Sequence, residues 1–266
     1  MLEALPVQQL LDPVPVLGVF LLFPLIGLIA YEIGYRVGVR RIERTPDEKE
    51  GPSGVLVGSL LALMGFLLAV TMGMASDRFD TRRQLVLAEA NTIGTLYLRA
   101  GYLPTPVSDA SRDLLRAYAP LRVSVDDDAV LVENLARSGE IADALWAIAE
   151  TQARATPDSQ VLALYISALN ELIDLRETRL VAASYARVPE TVILLMFVGS
   201  ALTLAMVGFH AGLHRQRSLI GAIILVIVLG AVIALVVDLD RPRQGFLTVS
   251  QQPLTDVIRD MGPPGG

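Results

Sequence analysis

Four stretches of the chain carry no charged side chain, and between them polar and apolar residues alternate in ordinary proportion. The first lies between Asp12 and Glu32 (residues 13–31) and the second between Glu50 and Asp77 (51–76). The third lies between Glu190 and Arg215 (191–214) and the fourth between Arg217 and Asp238 (218–237). They are 19 to 26 residues long, and a helix needs about 20 residues to cross a hydrocarbon layer about 30 Å thick. The pattern predicts four membrane-spanning helices, at about 14–35, 52–75, 190–211 and 218–238. Pro24 inside the first is tolerable, because a neighbouring helix can satisfy the carbonyl it frees. Residues 1–15 contain no Lys or Arg, so the positive start of a cleaved signal peptide is missing.

Between the second and third runs, residues 76–188 read as helix throughout, so the expected fold class is all-α: two pairs of spanning helices (within 1–75 and 189–238) flanking an inserted helical domain. Asp77 to Gly101 continues the second crossing as one long helix that ends by Pro104. Ser108 is placed as the N-cap of a helix ending near Pro120. Asp126, Asp127 and Asp128 open another, which Gly139 is expected to end, and Glu140 to about Ala155 forms a further one. Pro157 then starts an amphipathic helix with Leu162, Ile166, Leu169, Ile173 and Leu180 on one stripe. The tail, 239–266, is expected to be loop with a turn or two of helix near Leu254 to Met261.

Composition sharpens this picture. Of 266 residues 53% are hydrophobic and only 19% charged, against about 25% charged in a soluble domain. The absence of cysteine excludes disulfides, thiolate catalysis and thiolate metal sites. A net charge of −6 argues against nucleic acid as a partner, since phosphate binding needs a clustered positive surface. Lys49 is the one lysine. No phosphate-cradling glycine loop, helical His-Glu-x-x-His or Gly-x-Ser-x-Gly occurs, so no enzyme chemistry and no cofactor is expected. Counting arginines in the short loops (Arg36, Arg40, Arg41, Arg44 and Lys49, then Arg215 and Arg217) puts those loops in the cytoplasm. Both termini and the helical domain would then lie outside, although Arg78, Arg82, Arg83 and Arg187, which flank the long insertion close to the membrane, count the other way.

The second crossing is the most patterned. Gly54, Gly58, Ala62, Gly65, Ala69 and Gly73 recur at spacings of three and four, which sets them on one helical face. Small residues let helices approach closely in lipid, within a chain or between chains. Alternatively the helix borders a pore, with Met64, Phe66, Leu67 or Leu68 as an apolar constriction. Beyond the bilayer Arg78, Arg82 and Glu89 fall roughly on one face. They read either as an internal salt-bridge network or as a charged ring at a pore mouth. His210 and His214 stand four apart, as chelating residues can, but no third ligand lies nearby in sequence. Asp238, Asp240 and Arg241 read as an interfacial ion-pair cluster, and Glu32 with Arg36 as a local pair. No metal site is expected.

The stretch from Ala75 through Asp77-Arg78, Glu89-Ala-Asn91 and Gly94 to Pro104, together with Asp238-Leu-Asp-Arg-Pro242, resembles a bacterial family of bestrophin-like four-helix membrane proteins. The resemblance covers most of the chain. Bestrophins are pentameric anion channels whose second membrane helix lines an apolar neck. The resemblance therefore implies a homo-oligomer in the bacterial inner membrane, with Gly58, Ala62, Gly65, Phe66, Ala69 and Gly73 beside the pore and Arg78, Arg82 and Glu89 at its mouth. Inorganic anions and the lipid bilayer would be its partners. It also implies that termini and helical bulk face the cytoplasm, opposite to the arginine count. The competing reading is a membrane-anchored scaffold or sensor without transport, whose small-residue face would be closed inside one chain.

Overall fold

The computed structural model of the chain describes residues 12–44, 51–184, 187–243 and 245–263. Among them all regular structure is helical: α1 (Val16–Arg44), α2 (Ser53–Ala100), α3 (Val107–Leu121), α4 (Asp128–Ala155), α5 (Gln160–Ser184), α6 (Glu190–Leu213), α7 (Leu219–Asp240) and α8 (Gln252–Met261). Helices α1, α2, α6 and α7 are the four long and apolar enough to span a membrane. Each contains most of one uncharged run, and α1 and α2 continue well beyond theirs, to Arg44 and Ala100. Lys49 and most of the leader lie outside the described residues.

The membrane helices do not pair in sequence order. Helix α1 packs on α6 and α7, while α2 packs on α6 and α7 from elsewhere and also touches α3, α5 and α8. The α1–α6 contact is a glycine seam. A Cβ on Gly34 would collide with the Ala205 carbonyl oxygen and one on Gly38 with that of Phe209; on α6, Gly208 and Gly212 stand in the same relation to the Tyr31 and Tyr35 carbonyls. With no side chain at these points the two backbones approach within contact, which is how helices gain dispersion energy in lipid. Pro24 leaves α1 unbroken and sits against Gly230 of α7. Phe23, Leu68, Met196, Leu204, Val226 and Ile233 are among the residues of the apolar core that joins the four helices.

A second core lies on the far half of α2. Ile93, Leu96 and Ala100 meet Leu115 and Tyr118 of α3, Leu145 of α4, and Leu162, Tyr165, Leu169 and Leu172 of α5. The predicted stripe on α5 faces this core: Leu162 and Leu169 lie in it, with Ile166 and Ile173 packed against it. Three local expectations need correcting. Helix α4 runs straight through Gly139, where a Cβ would stand 3.1 Å from Arg176 Nη2; the glycine admits that guanidinium and ends nothing. Ser108 lies inside α3 and does not cap it, because the helix begins one residue earlier without a side-chain cap. Helix α5 starts at Gln160, with Ser159 Oγ accepting from the Leu162 N–H. The helix expected near Leu254 to Met261 is present as α8, and it docks on the second core, where Leu254 and Met261 are 0% and 4% exposed. Asp127 caps α4 by accepting from the Ala129 and Val130 N–H groups at 2.8 and 3.1 Å, as an acidic helix start should.

Candidate functional site along the second helix

Helix α2 is 48 residues long, about 70 Å at about 1.5 Å per residue, so more than half of it stands beyond a bilayer's hydrocarbon. One side of it is covered by the rest of the chain: Met64, Leu68, Thr71, Ala75, Arg82, Val86 and Glu89 are buried. The other side is largely bare from Gly58 to Leu87, and further along it Gly94 meets Val257 of α8. Gly58, Ala62, Gly65, Phe66, Ala69 and Gly73 are all exposed. A Cβ added at Gly58, Gly65 or Gly73 would meet nothing. At Gly54 an added Cβ would stand 3.3 Å from the His210 ring, whose Nδ1 shares a 2.8 Å hydrogen bond with Ser53 Oγ. Of the constriction candidates, Met64 and Leu68 point into the chain at 2% and 6% exposure, while Phe66 projects at 65%.

The charged candidates are on the opposite side. At about 100° per residue, Arg78, Arg82 and Glu89 fall roughly half a turn from the glycine face, which is the covered side. Arg82 donates from Nη2 to the Leu239 carbonyl at 2.5 Å. Glu89 is fully buried: Arg122 Nε donates to Oε1 at 2.6 Å, Arg179 donates to Oε2, and the Tyr118 hydroxyl lies 3.4 Å from Oε1. Burial alone would favour loss of the Arg122 proton. The carboxylate beside it outweighs burial and raises the guanidinium above its ordinary value. Arg82 and Glu89 therefore tie α2 to α7, α3 and α5 from within, and neither is a surface charge of the protomer. The charges that continue the glycine face are Asp80 and Arg83, both exposed. Sequence reasoning passed over them, although the same 100° count puts them in line with Gly65 and Gly73.

At the α7 end the expected ion cluster is larger than the sequence indicated. Asp240 accepts from Arg187 Nε at 3.2 Å and from the Val188 N–H at 2.7 Å. Arg187 makes two further bonds to Asp12 at 2.6 and 2.8 Å, and Arg241 donates to the Val14 carbonyl. Asp238 accepts from the Phe246 and Leu247 N–H groups at 2.8 and 3.0 Å, turning the chain back toward α8. At the opposite end Glu32 holds both Arg36 and Arg217. The His210 and His214 rings lie with centroids 4.5 Å apart, tilted 51° to each other, and among the described residues no three His, Asp or Glu side chains gather as metal ligands would.

The Bestrophin-like domain matches residues 23–254 of this sequence. No curated protein matches it in sequence. Among solved structures, a bacterial bestrophin homologue from Klebsiella pneumoniae superposes with a TM-score of 0.66 at 14% identity, covering 92% of this chain and 97% of its own. A tyrosine-to-alanine variant of that homologue gives the same score, identity and coverage. A structure described as a membrane protein with a proline-to-alanine substitution gives 0.67 at 15%, with 92% and 97% covered. At such identity the likeness is one of fold.

Proposed function

Since this chain belongs to the bestrophin-like family, we propose that it assembles with copies of itself into an anion channel of the inner membrane, with α2 of each copy beside the pathway. The observation that carries this reading is the bare face of α2. In lipid an uncovered apolar face needs no partner. Leu87 and Leu98, however, lie on the same face beyond the bilayer at 50% and 67% exposure, where water would make them costly. A ring of copies, five by the family resemblance, would cover part of the face and leave the remainder toward a central axis. Phe66, the one aromatic between Gly54 and Ala75, would then narrow the apolar path. Arg83 takes the mouth role, with Asp80 a turn before it, while Arg82 and Glu89 hold the helix in place. In this reading the helical part stands in the cytoplasm. The scaffold reading asked for the small-residue face to be closed within one chain, and the open space over Gly58, Gly65 and Gly73 removes its support.

The test is anion flux from purified protein in liposomes. Flux above empty vesicles is expected, with Arg83→Glu shifting selectivity away from anions. Protein that reconstitutes well yet conducts no more than bare lipid, across a range of pH and calcium, would end the proposal.

A further inference from the structure

Away from the bare face, on the covered side of α2, lies a cavity of about 120 Å³. Its walls come from α2, the end of α3, the start of α4, the end of α5 and the segment between α7 and α8. Leu85, Val86, Leu121, Leu131, Leu135 and Leu180 make it largely apolar. Four guanidinium side chains line it, those of Arg82, Arg122, Arg179 and Arg243, and no carboxylate does so among the described residues.

The charges do not balance locally. Arg122 and Arg179 share the single carboxylate of Glu89, and Arg243 is bound through Nη2 to Asp128 at 2.6 Å. Arg82 is 7% exposed and engages only a neutral carbonyl. Its Nε and Nη1 are buried without a hydrogen-bond partner, and so is Arg243 Nη1. The acidic group that faces Arg82 most strongly, Asp240, already accepts from Arg187 and Val188. Glu89 and Asp128 thus pair with three of the four cations, and the fourth, Arg82, has only Asp240, which it shares with Arg187. Buried cationic N–H groups are satisfied in stable proteins. A guanidinium presents its donors in a planar fork matched to a carboxylate.

We propose that this cavity binds a small organic anion, a monocarboxylate with a short apolar body, whose carboxylate is held by the cluster of Arg82, Arg122, Arg179 and Arg243 in the cavity wall and whose hydrocarbon lies against the leucines. The size suits such a ligand: a cavity of about 150 Å³ in another protein holds benzene. The apolar walls separate this site from one built for a bare halide. The proposal does not depend on conduction, because binding is read on solubilised protein whether or not the channel reading holds.

The experiment uses the full chain in detergent and a chloride-free buffer, with butyrate as the probe, followed by calorimetric titration and by thermal unfolding. Butyrate should bind saturably and raise the unfolding temperature, while neutral butyramide should do neither and chloride at equal concentration far less. Arg82→Gln should weaken butyrate at least tenfold. Because that arginine also holds Leu239, a second variant, Ala183→Phe, fills the cavity from its α5 wall and should abolish binding in protein of unchanged helicity. The proposal is overturned by absence of saturable butyrate binding, by equal effects of butyramide or chloride, or by unaltered affinity in folded Ala183→Phe.

Discussion

Glu89 shows how one side chain can be legible as important and misread as to place. Its spacing from Arg78 and Arg82 is a sequence fact, but whether that face meets water or protein is decided by Arg122 and Arg179, 33 and 90 residues away. Removing the carboxylate strands Arg122, whose side chain is 5% exposed. Breaking a buried pair from one side costs about 3–5 kcal/mol, so Glu89→Gln should destabilise the helical part by roughly that amount in chemical unfolding. Unchanged stability would show the network to be dispensable. The tyrosines beside it add a pH dependence. Burial raises the Tyr118 phenol above its ordinary 10.0, with Arg122 opposing, and burial also raises Tyr165 against its bond to Ser111. A group whose folded pKa is raised contributes fully below its unfolded value and loses that contribution as pH climbs. Stability should therefore fall above about pH 10, and Tyr118→Phe should flatten that limb. Parallel alkaline limbs in both proteins would contradict this.

At the scale of the helices, the glycines fall into two groups with opposite meanings. Those of α2 attract notice because there are several at helical spacing, yet three of them face open space. The pairs that do the packing, Gly34 with Gly38 and Gly208 with Gly212, were equally visible as a four-residue spacing in each helix. The sequence did not say that the two spacings answer each other, because nothing local relates residue 34 to residue 205. The prediction separates the groups. Gly34→Ala drives a methyl into the Ala205 carbonyl and should cost on the order of 1–3 kcal/mol. Gly65→Ala meets nothing inside the protomer and should leave its thermal stability in detergent unchanged or slightly raised, since glycine is the poorer helix former. Equal losses in the two variants would mean that α2's face is packed after all.

For the whole molecule, short-loop arginines and family resemblance imply opposite orientations in the bilayer, and labelling separates them. The cysteine-free chain makes that labelling direct. With the helical part in the cytoplasm, an impermeant thiol reagent applied to spheroplasts should label Gln216→Cys at the α6–α7 turn at once. Asp126→Cys, between α3 and α4, should react only after permeabilisation. The reverse pattern would vindicate the arginine count.

Run length and periodicity along the chain were enough to determine four crossings, an all-helical fold and the continuation of α2 far outside the bilayer. Each of those depends on solvent matching over consecutive residues, a one-dimensional property. Tertiary structure alone decided that α1 lies on α6, that α8 closes the second core, that Arg82 and Glu89 turn inward while Asp80 and Arg83 do not, and that four arginines surround one cavity. Those outcomes depend on which surfaces meet after the chain has turned back on itself, and each involves partners too distant in sequence for any local pattern to relate them.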